Sequence, residues 1–289
     1  MTLWSEVAFW SELALWPKGI DFSLIIRYSL LMKAVAIIPA RYASTRLPGK
    51  PLLVIKGKPL IQYVYERVKA SSVQQVIVAT DDERIAAAVK AFGGEAVLTS
   101  PSHRSGTERV AEVAAGMDAA IVVNCQGDEP LIPPEAIDKA IAAFAQDPSI
   151  MVTTLITPLE KGEDLCNPHL VKVVVDHDGY ALYFSRSLIP YPRDVLEKSD
   201  VGQLSSDEVI TRLDKKALGG YWQHIGLYAF RREFLLKLTA LPPSPLERRE
   251  KLEQLRILEN GYKIKTVICS TPSIGIDTPE DVERFTALI

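Results

Sequence analysis

The chain has 289 residues, 47% of them hydrophobic and 24% charged, which is enough to bury a sizeable core and excludes a disordered or fibrous protein. Lysines and arginines number 33 against 36 aspartates and glutamates, a formal charge of −3, so no net positive field marks a nucleic-acid partner, although local basic residues can still hold a small anion. The three cysteines, Cys125, Cys166 and Cys269, are isolated and form neither a zinc-spaced cluster nor an even disulfide framework, which fits a reducing compartment.

Residues 1–31 stand apart. Leu3 to Trp16 is rich in Trp and Leu with a narrow polar side, and Ile20 to Leu31 is apolar but carries Asp21 and Arg27. Neither stretch reaches the roughly 18 uninterrupted apolar residues of a membrane span, and no signal-peptide pattern is present. Two readings stand: an upstream start codon ahead of Met32, or a peripheral membrane or partner-binding helix.

From Lys33 onward short apolar runs alternate with helical patterns, which predicts βαβ units and a parallel sheet. Ala34–Pro39 reads as a buried strand and Pro59–Ala70 as a helix with Leu60, Ile61, Val64 and Val68 on one face. Gln75–Thr80 is a strand, Asp82–Phe92 a helix opened by acidic residues, and Glu95–Leu98 a short strand after Gly93-Gly94. Thr107–Gly116 is a helix, Ala120–Cys125 a strand, and Pro133–Gln146 a helix opened by proline. The second half is richer in strands: Met151–Thr157, Val171–Asp176, Ala181–Ser185 and Gln223–Phe230, with a hairpin turn at Asp178-Gly179. Ile189–Ser206 reads as a mobile loop, Pro245–Asn260 as one charged helix stopped by Gly261, and Pro279–Ala287 as a closing helix.

The chemistry-bearing residues fall after the strands, where open α/β sheets bind ligands. Directly after the first strand, Pro39 to Lys50 carries Arg41, Arg46 and Lys50 among small residues. Guanidinium groups hold phosphate oxygens bidentately and lysine adds a compact charge, so this loop suits a polyphosphate; a solvated basic loop is the alternative. Neither a P-loop nor a GxGxxG fingerprint is present, which weakens adenine-nucleotide and NAD readings. In Asn124-Cys125-Gln126-Gly127-Asp128-Glu129-Pro130, Asp128 suits magnesium, which takes one or two carboxylates plus water and phosphate, and Gly127 permits a close approach. Asp277 in Gly275-Ile276-Asp277-Thr278-Pro279 is a second carboxylate for the same ion, or a cap for the following helix. His103 to Arg109 lies between a strand and a helix; Ser105 and Thr107 either cap that helix, with Glu108 and Arg109 decorating it, or belong to a pocket that reads a pyrimidine base. Arg186, His224, Glu253 and Gln254 are polar groups near strand or helix faces. Arg186 suits a sugar-acid carboxylate, and each of these residues also has an ordinary structural reading.

Together these segments resemble the 3-deoxy-manno-octulosonate cytidylyltransferases, or CMP-Kdo synthetases, continuously from about Lys33 to the end. The resemblance is carried by IIPARYASTRLPGKPL (37–52), VATDDERIA (78–86), HRSGTERVAEV (103–113), NCQGDEPLIPP (124–134), VKVVVD (171–176), ALYFSRSLIPYPR (181–193), HIGLYAFRR (224–232), LEQLR (252–256) and GIDTPEDVERF (275–285). The resemblance implies an α/β, Rossmann-like nucleotide-diphospho-sugar transferase fold with a mostly parallel sheet and a smaller strand-rich dimerisation part. Residues 32–289 would be the cytidylyltransferase domain, 33–150 mainly nucleotide-binding and 151–289 mainly sugar-binding and dimer-forming. It also implies transfer of CMP from CTP to Kdo with release of pyrophosphate, a bound Mg2+ and a cytoplasmic homodimer; any membrane contact would run through residues 1–31 alone. Carried over residue by residue, Arg41, Ser44 and Lys50 touch the triphosphate, while Ser105, Gly106 and the Ala40 backbone frame cytosine and ribose. Gln126 lies beside the substrates, Asp128 and Asp277 hold the metal, and Arg186, His224, Glu253 and Gln254 surround the sugar. Catalysis then rests on Arg41, Lys50, Asp128 and Asp277. Arg104 stands where the family varies and is assigned nothing, and residues 1–31 have no family counterpart. The rival readings are a cytidylyltransferase for sialic acid or an 8-amino relative of Kdo, and a catalytically silent nucleotide-binding scaffold.

Overall fold

A computed structural model describes residues 32–43, 47–159, 161–193, 219–270 and 275–289. The N-terminal extension, Ser44, Arg46 and most of the loop predicted over Ile189–Ser206 lie outside the described residues. Strand β1 (Ala34–Ala40) is apolar on both faces, as a strand in the middle of a parallel sheet must be. Its pleat sends Ala34, Ala36, Ile38 and Ala40 into one core layer and Val35 and Ile37 into the other. Parallel partners flank it, β4 (Gln75–Thr80) on one side and β6 (Ile121–Asn124) on the other, with β5 (Glu95–Leu98) beyond β4.

The helices between these strands form where their apolar spacing demands. Helix α1 (Leu60–Lys69) buries Leu60, Ile61, Val64 and Val68 along one stripe. Helix α2 (Glu83–Ala91) is capped by Asp82, whose side chain accepts from the Arg84 N–H, and is followed by Gly93 at φ 80°. Helix α3 (Gly106–Ala115) is capped by Ser105, and α4 (Pro134–Gln146) opens on proline.

The second half extends the same sheet with β7 (Val152–Pro158), β10 (Trp222–Arg231) and β11 (Lys265–Ile268), giving the order β11-β7-β10-β6-β1-β4-β5. Along that path β10 alone runs antiparallel to its neighbours. The hairpin β8 (Lys172–Val175) and β9 (Ala181–Ser185) turns at Asp178-Gly179, with Gly179 at φ 74°, and β8 pairs with β10 off the main path.

Four elements depart from expectation. A small hairpin, β2 (Val54–Ile55) and β3 (Lys58–Pro59), turns on Lys56 and Gly57, both at positive φ, where no strand was predicted. Two further helices, α5 (Gly162–Cys166) and α6 (Arg232–Thr239), stand where none was predicted. The single helix predicted over Pro245–Asn260 is two, α7 (Pro245–Glu250) and α8 (Leu255–Glu259). Lys251 at φ 56° breaks it: a left-handed residue cannot continue a right-handed helix, and the chain turns inward. The closing helix α9 (Pro279–Leu288) packs Phe285, with Ile276, against Ile55 and Leu60, which pins the C-terminal segment beside the loop after β1.

Candidate active site

That pinning brings together residues more than two hundred positions apart. The loop leaving β1 closes through the Gly49 N–H donating to the Tyr42 carbonyl at 3.0 Å, with the Arg84 guanidinium 3.5 Å from the Tyr42 ring centre. Gly49, at φ 70°, then starts a short turn (Lys50–Leu52) that aims Lys50 inward. Its Nζ donates to Asp128 Oδ2 at 2.7 Å, to the Ile276 carbonyl at 2.7 Å and to Asp277 Oδ1 at 3.1 Å. The capping alternative for Asp277 falls away, because Thr278 caps α9 in a reciprocal box with Asp281. The Asp277 carboxylate is therefore turned to Lys50. Two carboxylates converging on one cation form the arrangement that can also hold a metal ion, and among the described residues no group of three or more His, Cys, Asp or Glu gathers.

Ala40, Arg41, Lys50, Ser105, Gly106, Gln126, Asp128 and Asp277 all line one cavity of about 260 Å³ at the carboxyl ends of β1 and β6. Gly127 belongs there because a Cβ at that position would stand 2.9 Å from the Pro39 carbonyl, closer than backbone tolerates. His103, Arg104 and Arg109 line it too. Arg109, whose helical position reads as surface decoration, is 4% exposed. Its Nη2 donates to Asp81 Oδ2 at 2.8 Å and its Nη1 to the Thr99 hydroxyl. The signal that could have found it is Asp81, a carboxylate at the carboxyl end of β4 that calls for a cation.

A second cavity, of about 220 Å³, shares Gln126 with the first. His224, Glu253 and Gln254 line it, together with Thr107, Gly226 and Tyr228. Two irregularities build it: a bulge in β10 between Ile225 and Tyr228, and the break at Lys251 that delivers Glu253 and Gln254. Glu253 accepts from Ser105 Oγ at 3.0 Å and from Thr107 Oγ1 at 2.7 Å. Burial raises its pKa, against the lowering pull of those hydroxyls. Burial likewise pushes His224 down to about 3, so the ring is neutral at ordinary pH. Thr154 Oγ1 lies 2.9 Å from His224 Nε2 and 2.9 Å from the Leu227 carbonyl. Giving its single proton to the carbonyl leaves the hydroxyl oxygen to accept from Nε2–H. Gln254 is 7% exposed, and its Nε2 has no hydrogen-bond partner among the described residues, as expected of a donor that awaits a ligand.

Arg186 is not brought to either cavity wall. Its Nε donates to the Glu250 carbonyl at 3.0 Å and its Nη1 to the Pro168 carbonyl at 3.0 Å, while Lys172 Nζ donates to the carbonyl of Arg186 itself. Cys125 and Cys166 are free, and Cys125, fully buried, has its thiol pushed up by that burial. Among the described residues no helix is long and apolar enough to cross a membrane.

A mostly parallel sheet with polar cavities at its strand ends is the build of a nucleotidyltransferase. Residues 35–264 match the cytidylyltransferase family. A solved 4-diphosphocytidyl-2C-methyl-D-erythritol synthase from Anaerococcus prevotii shares the fold at a TM-score of 0.55, with 13% identity over 90% of this chain and 98% of that one. Much nearer relatives narrow the class, and the chain belongs to the 3-deoxy-manno-octulosonate cytidylyltransferases. It is 54% identical over 88% of its length, and 96% of theirs, to the enzyme of that name from Geotalea daltonii. The corresponding figures for the Syntrophotalea carbinolica enzyme are 50%, 89% and 98%. A solved CMP:2-keto-3-deoxy-manno-octonic acid synthetase complexed with CTP superposes at a TM-score of 0.77, with 44% identity over 89% of this chain and 98% of that one.

Proposed function

We propose that this chain transfers CMP from CTP to 3-deoxy-D-manno-octulosonate, releasing pyrophosphate and supplying CMP-Kdo for lipopolysaccharide or capsule assembly. The observation that carries the reading is the sharing of Gln126 between a charged cavity and a second cavity lined by neutral and carboxylate acceptors. A nucleotide in the first and a sugar in the second meet beside that residue.

In this reading the anomeric hydroxyl of Kdo attacks the α-phosphorus of CTP. The new bond joins the sugar oxygen to phosphorus, the bond to the pyrophosphate oxygen breaks in line with it, and the hydroxyl proton leaves to solvent. Arg41 and Lys50 hold triphosphate oxygens, with Ser44 on the same loop; Ser105, Gly106 and the Ala40 backbone frame the nucleoside. Glu253 and neutral His224 offer acceptors to sugar hydroxyls, and Gln254 offers its unspent amide donor. Such chemistry is mostly positioning and charge stabilisation, which matches a site without a covalent nucleophile.

Asp128 and Asp277 fit a divalent metal, because they already converge on a cation, the Lys50 ammonium, and magnesium needs only one or two protein carboxylates beside phosphate and water. Magnesium, when bound there, neutralises phosphate charge and makes the hydroxyl a better nucleophile. Lys50 lines the same cavity, within reach of phosphates bound beside the two carboxylates. We place the enzyme in the cytoplasm as a homodimer formed through its strand-rich second half, where Leu182 and Tyr191 are 60% and 55% exposed. Arg186 serves the sugar side from outside the cavity, by fixing the Glu250 carbonyl ahead of the turn that carries Glu253.

The test is pyrophosphate release from CTP by the full chain across a panel of acidic sugars. Release that requires CTP, Kdo and magnesium together, and that is slower by orders of magnitude with N-acetylneuraminate, is the expected result. Equal rates with both sugars would move the reading to a broader cytidylyltransferase.

A further inference from the structure

Ser105, Gly106 and Thr107 occupy one turn at the start of α3 and look into two different places. Ser105 and Gly106 line the nucleotide-side cavity, and Thr107 lines the other. Thr107 is 7% exposed, and its hydroxyl sits between two groups: Asn124 Nδ2 lies 3.3 Å away and Glu253 Oε2 lies 2.7 Å away. The amide nitrogen can only donate, so the threonine oxygen accepts from Asn124 and donates its own hydrogen bond to Glu253. Asn124 is itself fully buried at the end of β6, in register with Ile37 of β1. A rigid sheet end thus reaches the Glu253 carboxylate through one hydroxyl. Ser105 Oγ holds the other carboxylate oxygen from the nucleotide side.

A competing partner stands nearby. Arg256 Nη2 is 3.9 Å from Glu253 Oε1 and already grips Glu247 at 2.5 Å. The Thr107 hydroxyl supplies the shorter of the two bonds that hold Glu253 against that pull. The geometry points to Thr107 as a positioning residue that holds Glu253 in place for the sugar. This rests on the reading of the second cavity as the Kdo site.

The experiment is steady-state kinetics of the full chain with Thr107→Val, which keeps the shape and removes the hydroxyl, and Thr107→Ser, which restores it. Losing a hydrogen bond to a charged group predicts a KM for Kdo about tenfold higher in Thr107→Val, with KM for CTP within about twofold and Thr107→Ser near wild type. An unchanged KM for Kdo, an equal rise in both KM values, or a loss confined to kcat would overturn the assignment. Thr107→Ala carries the same test if the valine variant does not fold. Wild-type turnover with Kdo is the control: its absence would sink the functional reading itself, whereas normal turnover in all the variants would sink only the role of Thr107.

Discussion

The two cavities that meet at Gln126 are built differently. The nucleotide side is assembled from the loops that leave β1 and β6 at their carboxyl ends, joined by the start of α3 and by Asp277 just ahead of α9. The sugar side is assembled from faults in regular structure, a bulge in β10 and a broken helix, with Thr107 and Gln126 reaching in from the first half. The first holds its residues by charge, in the Lys50–Asp128–Asp277 cluster; the second holds them by burial and by hydroxyl bonds to Glu253. Positive charge is concentrated where phosphate chemistry occurs, and recognition by buried hydrogen-bonding groups is kept beside it.

If that division is right, the largest effect follows removal of charge from the first cavity without change of shape. Asp128→Asn is expected to lower turnover by about 10³-fold or more while leaving the melting temperature close to wild type. Turnover within tenfold of wild type would remove Asp128 from the metal and phosphate chemistry. An intermediate effect belongs to the second cavity and is read through pH. His224 has its pKa lowered from 6.5 to about 3, so below 6.5 the unfolded chain takes up a proton that the folded chain refuses until near 3. The stability from this neutral histidine is complete above pH 6.5 and is lost as pH falls through that window. Between pH 6.5 and 5 the Tm should drop by about 2–4 °C per unit, and His224→Gln should flatten that slope. An unaltered slope in the variant would mean that other groups carry the acid sensitivity. The smallest effect concerns the helix break. Lys251→Gly relieves a left-handed lysine and should stabilise by about 0.5–1 kcal/mol in a denaturant melt, with KM for Kdo unchanged. A destabilised variant would show that the lysine side chain, rather than the backbone turn, holds the break.

The same division explains what the sequence made legible. The parallel strands and their helices could be read because buried β1 and the stripe Leu60, Ile61, Val64 and Val68 follow simple periods. Asp128 and Lys50 could be singled out because each belongs to a segment that follows a buried strand, where ligands bind. Asp277 could not be separated from a capping role until Thr278 was seen to cap α9, since both residues suit that position chemically. The break at Lys251 was hidden because lysine favours helix and nothing local marks the left-handed residue; tertiary packing imposes it. Arg109 was hidden because its partners, Asp81 and Thr99, come from other strand ends. Arg186, singled out beside aromatics, proves to grip main-chain carbonyls instead of facing a cavity.

The most direct test of the account follows the α-phosphorus of CTP by ³¹P NMR during incubation of the full chain with Kdo and magnesium. This signal should move to a sugar–CMP phosphodiester as inorganic pyrophosphate appears in equal amount, and neither change should occur without Kdo. Pyrophosphate appearing with CMP alone, or a CTP spectrum unchanged by folded protein, would contradict it.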